Sequence, residues 1–288
     1  MIMTREFRAQ TLSLPLGQRA LVMGIINVTP DSFSDGGKAF DLNSAVALAL
    51  QLEEDGADII DIGGESTRPG SLPVPLAEEL RRVLPVIQAL QGRLRVPISI
   101  DTSKAEAARR AVEAGAVIIN DIAAGGFDTD MAKTAAQTGA GVVLMHMKGK
   151  PRTMQVNPVY DDLLGEVRAF LQAAVERFIA VGVRRESILV DPGIGFGKTL
   201  EHNLELLRRC GEFRNLAAGV LVGPSRKSFL GLLTDSPVTD RLPETISAAA
   251  CAAIYGADVL RVHDVREVRK ALTVADAVRR VNFGSGDA

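Results

Sequence analysis

Apolar runs along this chain end, one after another, in side chains able to bind charge or hold a polar ligand. Asn27 closes LVMGIIN, Asp61 lies in IIDIG, Asp101 closes SID, Asn120 lies in IIND, Asp191 follows SILV, and Arg261 and His263 lie in LRVH. A single Asp or Asn after a strand reads as a turn former or helix cap. As a set they say more, because most share one parity. In an extended run Ser99 and Asp101 take one face while Ile98 and Ile100 take the other. Arg261 and His263 share a face opposite Val262. Asp121 has the parity opposite to Asn120 and reads as structural, a cap or a partner for a neighbouring helix.

The stretch VDPGIGFGKT, residues 190–199, looks like a nucleotide loop and is not one. Counting back from Gly197-Lys198-Thr199, a phosphate loop needs glycine at position 192, which is Pro192. A dinucleotide turn needs glycine at 198, which is Lys198. The glycines instead leave backbone uncovered beside Asp191, so that a flat ligand can approach closely. Two carboxylate oxygens in one plane complement a ligand edge with two parallel N–H donors, as in a guanidine-like heterocycle.

The elements that must position these groups follow from periodicity. Strand candidates are 21–28, 57–63, 96–101, 116–121, 141–147, 187–191, 219–223 and 258–263. Amphipathic stretches lie between them, and 44–57, 105–116 and 163–183 run to Gly56, Gly115 and Gly182, glycines suited to a left-handed helix cap. Eight such pairs in 288 residues leave about 36 residues per unit, enough for a parallel crossover. Near-continuous apolar strands imply a parallel sheet covered on both faces, and eight repeats favour a closed (β/α)8 TIM barrel. In that fold active sites lie at the C-terminal ends of the strands, where the polar set falls. Residues 1–288 read as one domain, with 1–19 an N-terminal extension expected as a plug or hairpin beneath the barrel and 282–288 a flexible tail.

Composition narrows the class. The chain is 47% hydrophobic and 24% charged, with net charge −2, which suits a globular protein and offers no basic stripe for nucleic acid or an anionic membrane. No apolar run reaches bilayer length. Cys210 and Cys251 stand far apart, with no signal-type N-terminus, so the expectation is a cytoplasmic protein with two ordinary thiols.

These motifs resemble those of the bacterial dihydropteroate synthases, a pterin-binding family. The matching segments are MGIINVTPDSFSDGG (23–37), DIGGESTRPG (61–70), SIDTSK (99–104), INDIAAG (119–125), LMHMKGKPRTMQ (144–155), DPGIGFGKT (191–199), GPSRKSFLG (223–231) and RVHDV (261–265). They run in family order over almost the whole chain. One departure is Ala123–Ala124 after Ile122, where a serine is expected; it touches a loop. The resemblance implies a (β/α)8 barrel and a folate-synthesis reaction. In it, 6-hydroxymethyl-7,8-dihydropterin pyrophosphate and p-aminobenzoate give 7,8-dihydropteroate and pyrophosphate, through early loss of pyrophosphate and a pterin cation.

It also implies roles. Asp191, Asn120, Asp101 and Lys227 form the pterin site, with Asp101, Asp191 and Lys227 catalytic. A carboxylate at Asp101 aimed at developing positive charge is electrostatic catalysis. Arg68, Arg261, His263 and Asn27 hold pyrophosphate, Asn27 through Mg2+, a cation that takes oxygen ligands and keeps waters. Phe33, Thr67, Pro69, Phe196 and Ser228 enclose p-aminobenzoate, with Ser228 expected at the start of a helix. The loops holding Phe33 and Thr67 read as lids that exclude water from the cation. His146 has no assignment, and no Cys/His cluster suggests zinc. The family tends to form homodimers, and the small residues of TISAAACAAIYGA (245–257) suit close packing within the barrel or across a dimer. Sulfonamides, which resemble aminobenzoate, are expected to compete with it. The alternatives are a methyltetrahydrofolate-binding methyltransferase domain, which needs neither aminobenzoate loops nor a pyrophosphate cradle, and a non-catalytic pterin-binding relative, which should lack a key residue.

Overall fold

The structure, a computed structural model, describes residues 5–29, 42–66, 71–150 and 153–281. Two short strands, β1 (Arg5–Ala9) and β2 (Leu12–Leu16), pair antiparallel as a hairpin. Eight parallel strands then close a barrel: β3 (Leu21–Asn27), β4 (Ile59–Gly63), β5 (Ile98–Asp101), β6 (Ile118–Asp121), β7 (Gly141–Met145), β8 (Ile188–Asp191), β9 (Gly219–Val222) and β10 (Val259–Val262). They stand in chain order, and β10 returns to β3 with Val259 opposite Leu21. Each strand expected from the sequence is present, with its ends within two residues of the expected ones.

The alternation of side chains divides the barrel in two. Val22, Ile26, Ile60, Ile62, Ile98, Ile100, Ile119, Val142, Val190, Val220, Leu260 and Val262 pack with the outer helices in one large core. Met23, Ile59, Ile118, Val143, Leu189, Leu221 and Val259 have the other parity and form a second, inner cluster. The hairpin closes that cluster from below, with Phe7, Ala9 and Leu16 fully buried in it. Room for the Phe7 ring exists because residue 141 is glycine: a Cβ there would stand 2.6 Å from Phe7 Cζ. Arg5 locks the hairpin in place through Asp258 at the start of β10, with Nη2 donating to Oδ1 at 2.7 Å and Nη1 to Oδ2 at 3.1 Å.

The outer layer consists of α1 (Leu42–Glu54), α2 (Leu76–Leu90), α3 (Ala105–Glu113), α4 (Met131–Thr138), α5 (Leu163–Ala180), α6 (Leu200–Arg209), α7 (Ser228–Thr234), α8 (Leu242–Ile254) and α9 (Val265–Arg280). Alanines such as Ala108, Ala111, Ala249 and Ala252 are fully buried, so these helices lie close on the strands. The glycines expected to stop helices do so with positive φ, 99° at Gly56, 120° at Gly115 and 106° at Gly182. Among the described residues, no helix is long and apolar enough to cross a membrane.

Candidate active site

Above the apolar floor, the same inward parity turns polar. Arg261 forks across the barrel from β10: Nε donates to Asp61 Oδ2 at 2.6 Å, and Nη2 donates to Asp101 Oδ2 at 2.6 Å. Asn120 on β6 donates from Nδ2 to the same Asp61 oxygen at 3.0 Å. A buried charge is costly unless it is paired, and these strands place the pairs face to face. Burial pushes the Asp101 carboxyl up, to about 7, against the pull of Arg261. Burial also works against the Arg261 charge, but Asp61 and Asp101 outweigh it and raise its pKa. Asp61 Oδ1 and Ser99 Oγ, on register-paired residues, are buried without a hydrogen-bond partner among the described residues.

Asp191 ends β8 and is 5% exposed. Its Oδ1 accepts from Gly193 N at 2.7 Å, and no hydrogen bond occupies Oδ2 among the described residues. Burial raises this carboxyl to about 6, opposed by the Gly193 N–H and the cations Lys227, Lys198 and Arg261. The loop after it is compact because of its glycines. Gly193 has φ of 73°, and a Cβ there would fall 1.9 Å from the His146 carbonyl oxygen. Gly195 has φ of 82°, and its Cβ would fall 2.8 Å from Lys227 Cδ. The glycines thus let the loop lie between the end of β7 and the Lys227 side chain.

Lys227 precedes α7 and lies with Nζ 3.9 Å from the Phe196 ring centroid. Burial and Arg261 push it down to about 8, opposed by Asp191 and Asp101. Its backbone is set by a turn at Arg226, which has φ of 56°. That unfavourable conformation is held by Arg226 forking onto Asp264, at 3.1 and 2.6 Å, and by its N–H donating to Thr245 Oγ1 at 3.0 Å. Phe196 packs with Ile122, Met145, Met147 and Met154 in a small apolar cluster. Beside Arg261 on the last strand, His263 pairs through Nδ1 with Ser225 Oγ at 2.9 Å.

The structure therefore gathers Asp101, Asn120, Asp191, Lys227, Phe196 and Arg261 at one mouth, with Asn27 half-buried at the end of β3 and His263 just beyond β10. Ser228 is the exposed first residue of α7, where a helix was expected to begin. Phe33, Thr67, Arg68 and Pro69 lie outside the described residues. Asp121 caps its own turn, with Oδ1 accepting from Ala123 N at 2.9 Å and Oδ2 from Gly125 N at 2.5 Å, as its parity implies. Four groups had no role assigned from sequence: Asp61, Ser225, Asn203 and the Lys198–His146 pair. Asp61 did carry a signal, since a carboxylate in the middle of an apolar strand demands a facing cation, and Arg261 is such a cation within a strand. Ser225 and the Lys198–His146 pair gave none, because their partners are far away in sequence, and Asn203, bonded to Thr199 and Gly195, carried no pattern that marks it.

A closed barrel whose upper interior holds ionised and amide groups for a flat polar ligand, beside an apolar wall, is the class of a small-molecule barrel enzyme. The pattern of the pterin binding enzyme family matches residues 23–263. The dihydropteroate synthase of Synechocystis is 49% identical over 265 residues, covering 92% of each chain. That of Escherichia coli K12 is 47% identical over 269 residues, covering 93% of this chain and 95% of its own. The Yersinia pestis dihydropteroate synthase solved with a sulfonamide drug superposes with a TM-score of 0.90 at 44% identity, covering 96% of this chain and 100% of that one. The Xanthomonas albilineans enzyme solved with 4-aminobenzoic acid also has a TM-score of 0.90, at 43% identity and 97% and 100% coverage. The chain belongs to the pterin-binding enzymes and, within them, to the dihydropteroate synthase family.

Proposed function

We propose that the chain condenses 6-hydroxymethyl-7,8-dihydropterin pyrophosphate with p-aminobenzoate, a transferase step that forms a C–N bond and releases pyrophosphate. The observation that carries this reading is the single mouth shared by Asp191, Asn120, Asp101, Lys227 and Arg261. Asp191 would accept the pterin N3–H and 2-amino edge. Asn120 has its Nδ2 committed to Asp61, a carboxylate that can only accept, so it presents Oδ1 to the ring. Lys227 would donate to the O4/N5 side. The bond from the pterin methylene carbon to the pyrophosphate oxygen breaks, with its electron pair leaving on pyrophosphate. Asp101 would stabilise the cation left on the pterin. The aniline nitrogen lone pair then closes on the methylene carbon, and the extra proton on nitrogen leaves to water.

Arg68, Arg261 and His263 would hold the departing pyrophosphate. Arg261 suits this because Asp61 and Asp101 fix two of its nitrogens, leaving Nη1 without a hydrogen bond among the described residues. Asn27 is a neutral oxygen donor at the same mouth, which fits a Mg2+ whose other ligands are phosphate oxygens and water. The ion would offset the charge of the leaving group. Phe33, Thr67, Pro69, Phe196 and Ser228 would enclose p-aminobenzoate, and a sulfonamide would compete there; the Yersinia pestis relative is solved with a sulfonamide drug and the Xanthomonas albilineans relative with 4-aminobenzoic acid.

A homodimer is the second part of this reading. Val274, Val278 and Val281 are 65, 59 and 55% exposed, and Ile254 and Tyr255 are 47 and 48% exposed. The ends of α8 and α9 lie side by side, with Arg279 Nη1 donating to Ala253 O at 3.3 Å, so these five residues offer an apolar face for a second copy. Cys210, buried, and Cys251, exposed, are unpaired thiols, which suits a cytoplasmic setting. The methyltransferase and non-catalytic readings are disfavoured, since His263 and Arg261 stand together with the pterin set. The test incubates the protein with both substrates, with Mg2+ and with chelator. Turnover-dependent release of pyrophosphate and dihydropteroate that chelation suppresses is expected. No product at micromolar enzyme would sink the reading.

A further inference from the structure

Four carbonyls of the loop 192–198 accept hydrogen bonds. Gly193 O accepts from Phe196 N at 3.1 Å, Gly195 O from Gln155 Nε2 at 2.6 Å, and Gly197 O from the Tyr160 hydroxyl at 2.8 Å. Gly195 N donates to Asn203 Oδ1 at 2.7 Å. The fourth carbonyl, Phe196 O, accepts from Lys198 Nζ at 2.8 Å. That lysine is 3% exposed, an unusual place for an ammonium. Its second contact is His146 Nδ1 at 3.0 Å, on the segment just past β7. His146 is 5% exposed and packs edge-on against Phe170, with ring centroids 4.9 Å apart.

The direction of the Lys198–His146 contact is fixed by charge. Burial pushes Lys198 down to about 7, against the pull of Asp191; as an ammonium it has only donors, so the neutral imidazole accepts through Nδ1. Burial, followed by Lys198 and Lys148, pushes His146 down to about 3, which agrees. Lys198 therefore ties two strand ends together. On one side it reaches the segment after β7; on the other it holds the carbonyl of Phe196, whose ring lies under Lys227. It also lies against Gly193, where a Cβ would come 3.4 Å from Nζ, and Gly193 N is the donor to Asp191.

We propose that Lys198 and His146 form a positioning pair for the pterin site. The ammonium, seated on a neutral imidazole, pins Phe196 so that ring and Lys227 keep their place, and it adds a third positive charge, behind the Asp191 carboxylate, to those of Lys227 and Arg261. The charges facing Asp191 are Lys227 before α7, Arg261 on β10, Lys198 at the end of the glycine loop and the Gly193 N–H dipole. Those facing Lys198 are Asp191, Lys227 and Lys148, with the neutral His146 in contact. Neither residue touches the proposed substrates' reacting atoms in this arrangement; both act through Asp191, Phe196 and Lys227. The inference rests on the pterin-site reading above and deepens it.

The test measures the dissociation constant of a bare pterin by calorimetry from pH 5 to 9. Lys198→Met is expected to weaken binding about tenfold near pH 6, where Lys198 carries its charge, the loss of one charge-assisted hydrogen bond. It is also expected to move the acid midpoint of binding upward by about half a pH unit or more, because a cation no longer favours the ionised Asp191. Lys198→Gln keeps a donor for Phe196 O without charge, so it should recover part of the affinity at pH 8 yet keep the shifted midpoint. His146→Leu should weaken binding severalfold, and His146→Asn, whose Oδ1 takes the place of Nδ1, should restore it. Lys198→Met with His146→Leu should be no worse than Lys198→Met alone, as for two members of one contact. An unmoved midpoint in both folded Lys198 variants, or additive losses in the double variant, overturns the inference. A wild type that binds no pterin overturns the site reading itself, and this pair with it. Should Lys198→Met not fold, the Lys198→Gln midpoint and the His146 pair decide the matter.

Discussion

The ammonium of Lys227 lies 3.9 Å from the ring centroid of Phe196. The ring face carries partial negative charge, so it steadies a cation that burial disfavours. Phe196→Leu is expected to lower kcat/KM by about 0.5–2 kcal/mol, the range of a desolvating cation–π contact. Lys227→Met should cost more, and the double variant no more than Lys227→Met. Steady-state kinetics on the three variants checks this, and independent, additive losses would reduce Phe196 to a wall of the pocket.

Asp191 gives a pH dependence with a definite sign. Its carboxyl is raised to about 6 in the free protein, and only the ionised form accepts two N–H donors. Pterin affinity should therefore fall as pH drops below about 6 and level off above it. Asp191→Asn should lose about 1.5–3 kcal/mol at pH 7.5 and show little acid dependence. Calorimetric titration with a pterin reads both; an equally steep acid limb in Asp191→Asn would place the titrating group elsewhere.

Arg261 serves two carboxylates at once, so removing it should harm the fold as well as the ligand site. Arg261→Ala leaves Asp61 and Asp101 buried beside each other without their cation, and about 3–5 kcal/mol of unfolding free energy should be lost. Arg261→Lys cannot span both and should rescue only part. Chemical denaturation of the three proteins tests this. Where the variants fold, the pyrophosphate-bearing substrate should lose more affinity than the bare pterin alcohol.

The ligand-free protein should be least stable near neutrality as far as the site is concerned. Asp101 and Asp191 have raised folded-state values, about 7 and 6, so the folded state binds more protons than the unfolded one above their ordinary value. These two make stability fall as pH rises through that window, opposed, below the ordinary imidazole value, by His146, which is lowered to about 3. Lys198 and Lys227 have lowered values, about 7 and 8, so stability recovers as pH rises from there towards the ordinary lysine value. Half-buried carboxylates such as Glu78, lowered to about 2 by Arg81 and Arg82, act only at more acid pH. A melting-temperature profile from pH 4.5 to 10 should dip around 7, and a monotonic rise across pH 5–7 would contradict it.

The apolar face at the ends of α8 and α9 predicts that Val278→Glu, a residue 59% exposed, yields monomer with unchanged circular dichroism. Sedimentation of wild type and variant at micromolar concentration checks it; a monomeric wild type removes the dimer proposal.

Much of this architecture was legible in the sequence because a parallel barrel writes its pattern twice. Outward residues such as Ile60, Ile62, Ile98 and Ile100 face helices, so they are apolar along the strand; inward ones change from Ile59 and Met23 to Asp61 and Asp101 as the strand leaves the floor. Strand ends and parity were therefore readable, and so was the role of Asp121. The helices were harder. α2 contains Pro85, which reads as a break, and α4 and α7 are too short to show a period. Pairings were harder still. That Lys198 leans on His146, 52 positions away, or Arg226 on Asp264, follows from how loops fold together and from no local spacing. The match of the long motifs carried the assignment of Lys227, whose lysine alone would read as a solvated side chain.

Phe7 and its hairpin stopper the barrel from beneath, where the ring fills the hollow left by Gly141. The site is thus a cul-de-sac with one doorway. Whatever rests against Asn120 and Asp191 enters and leaves through the upper mouth alone.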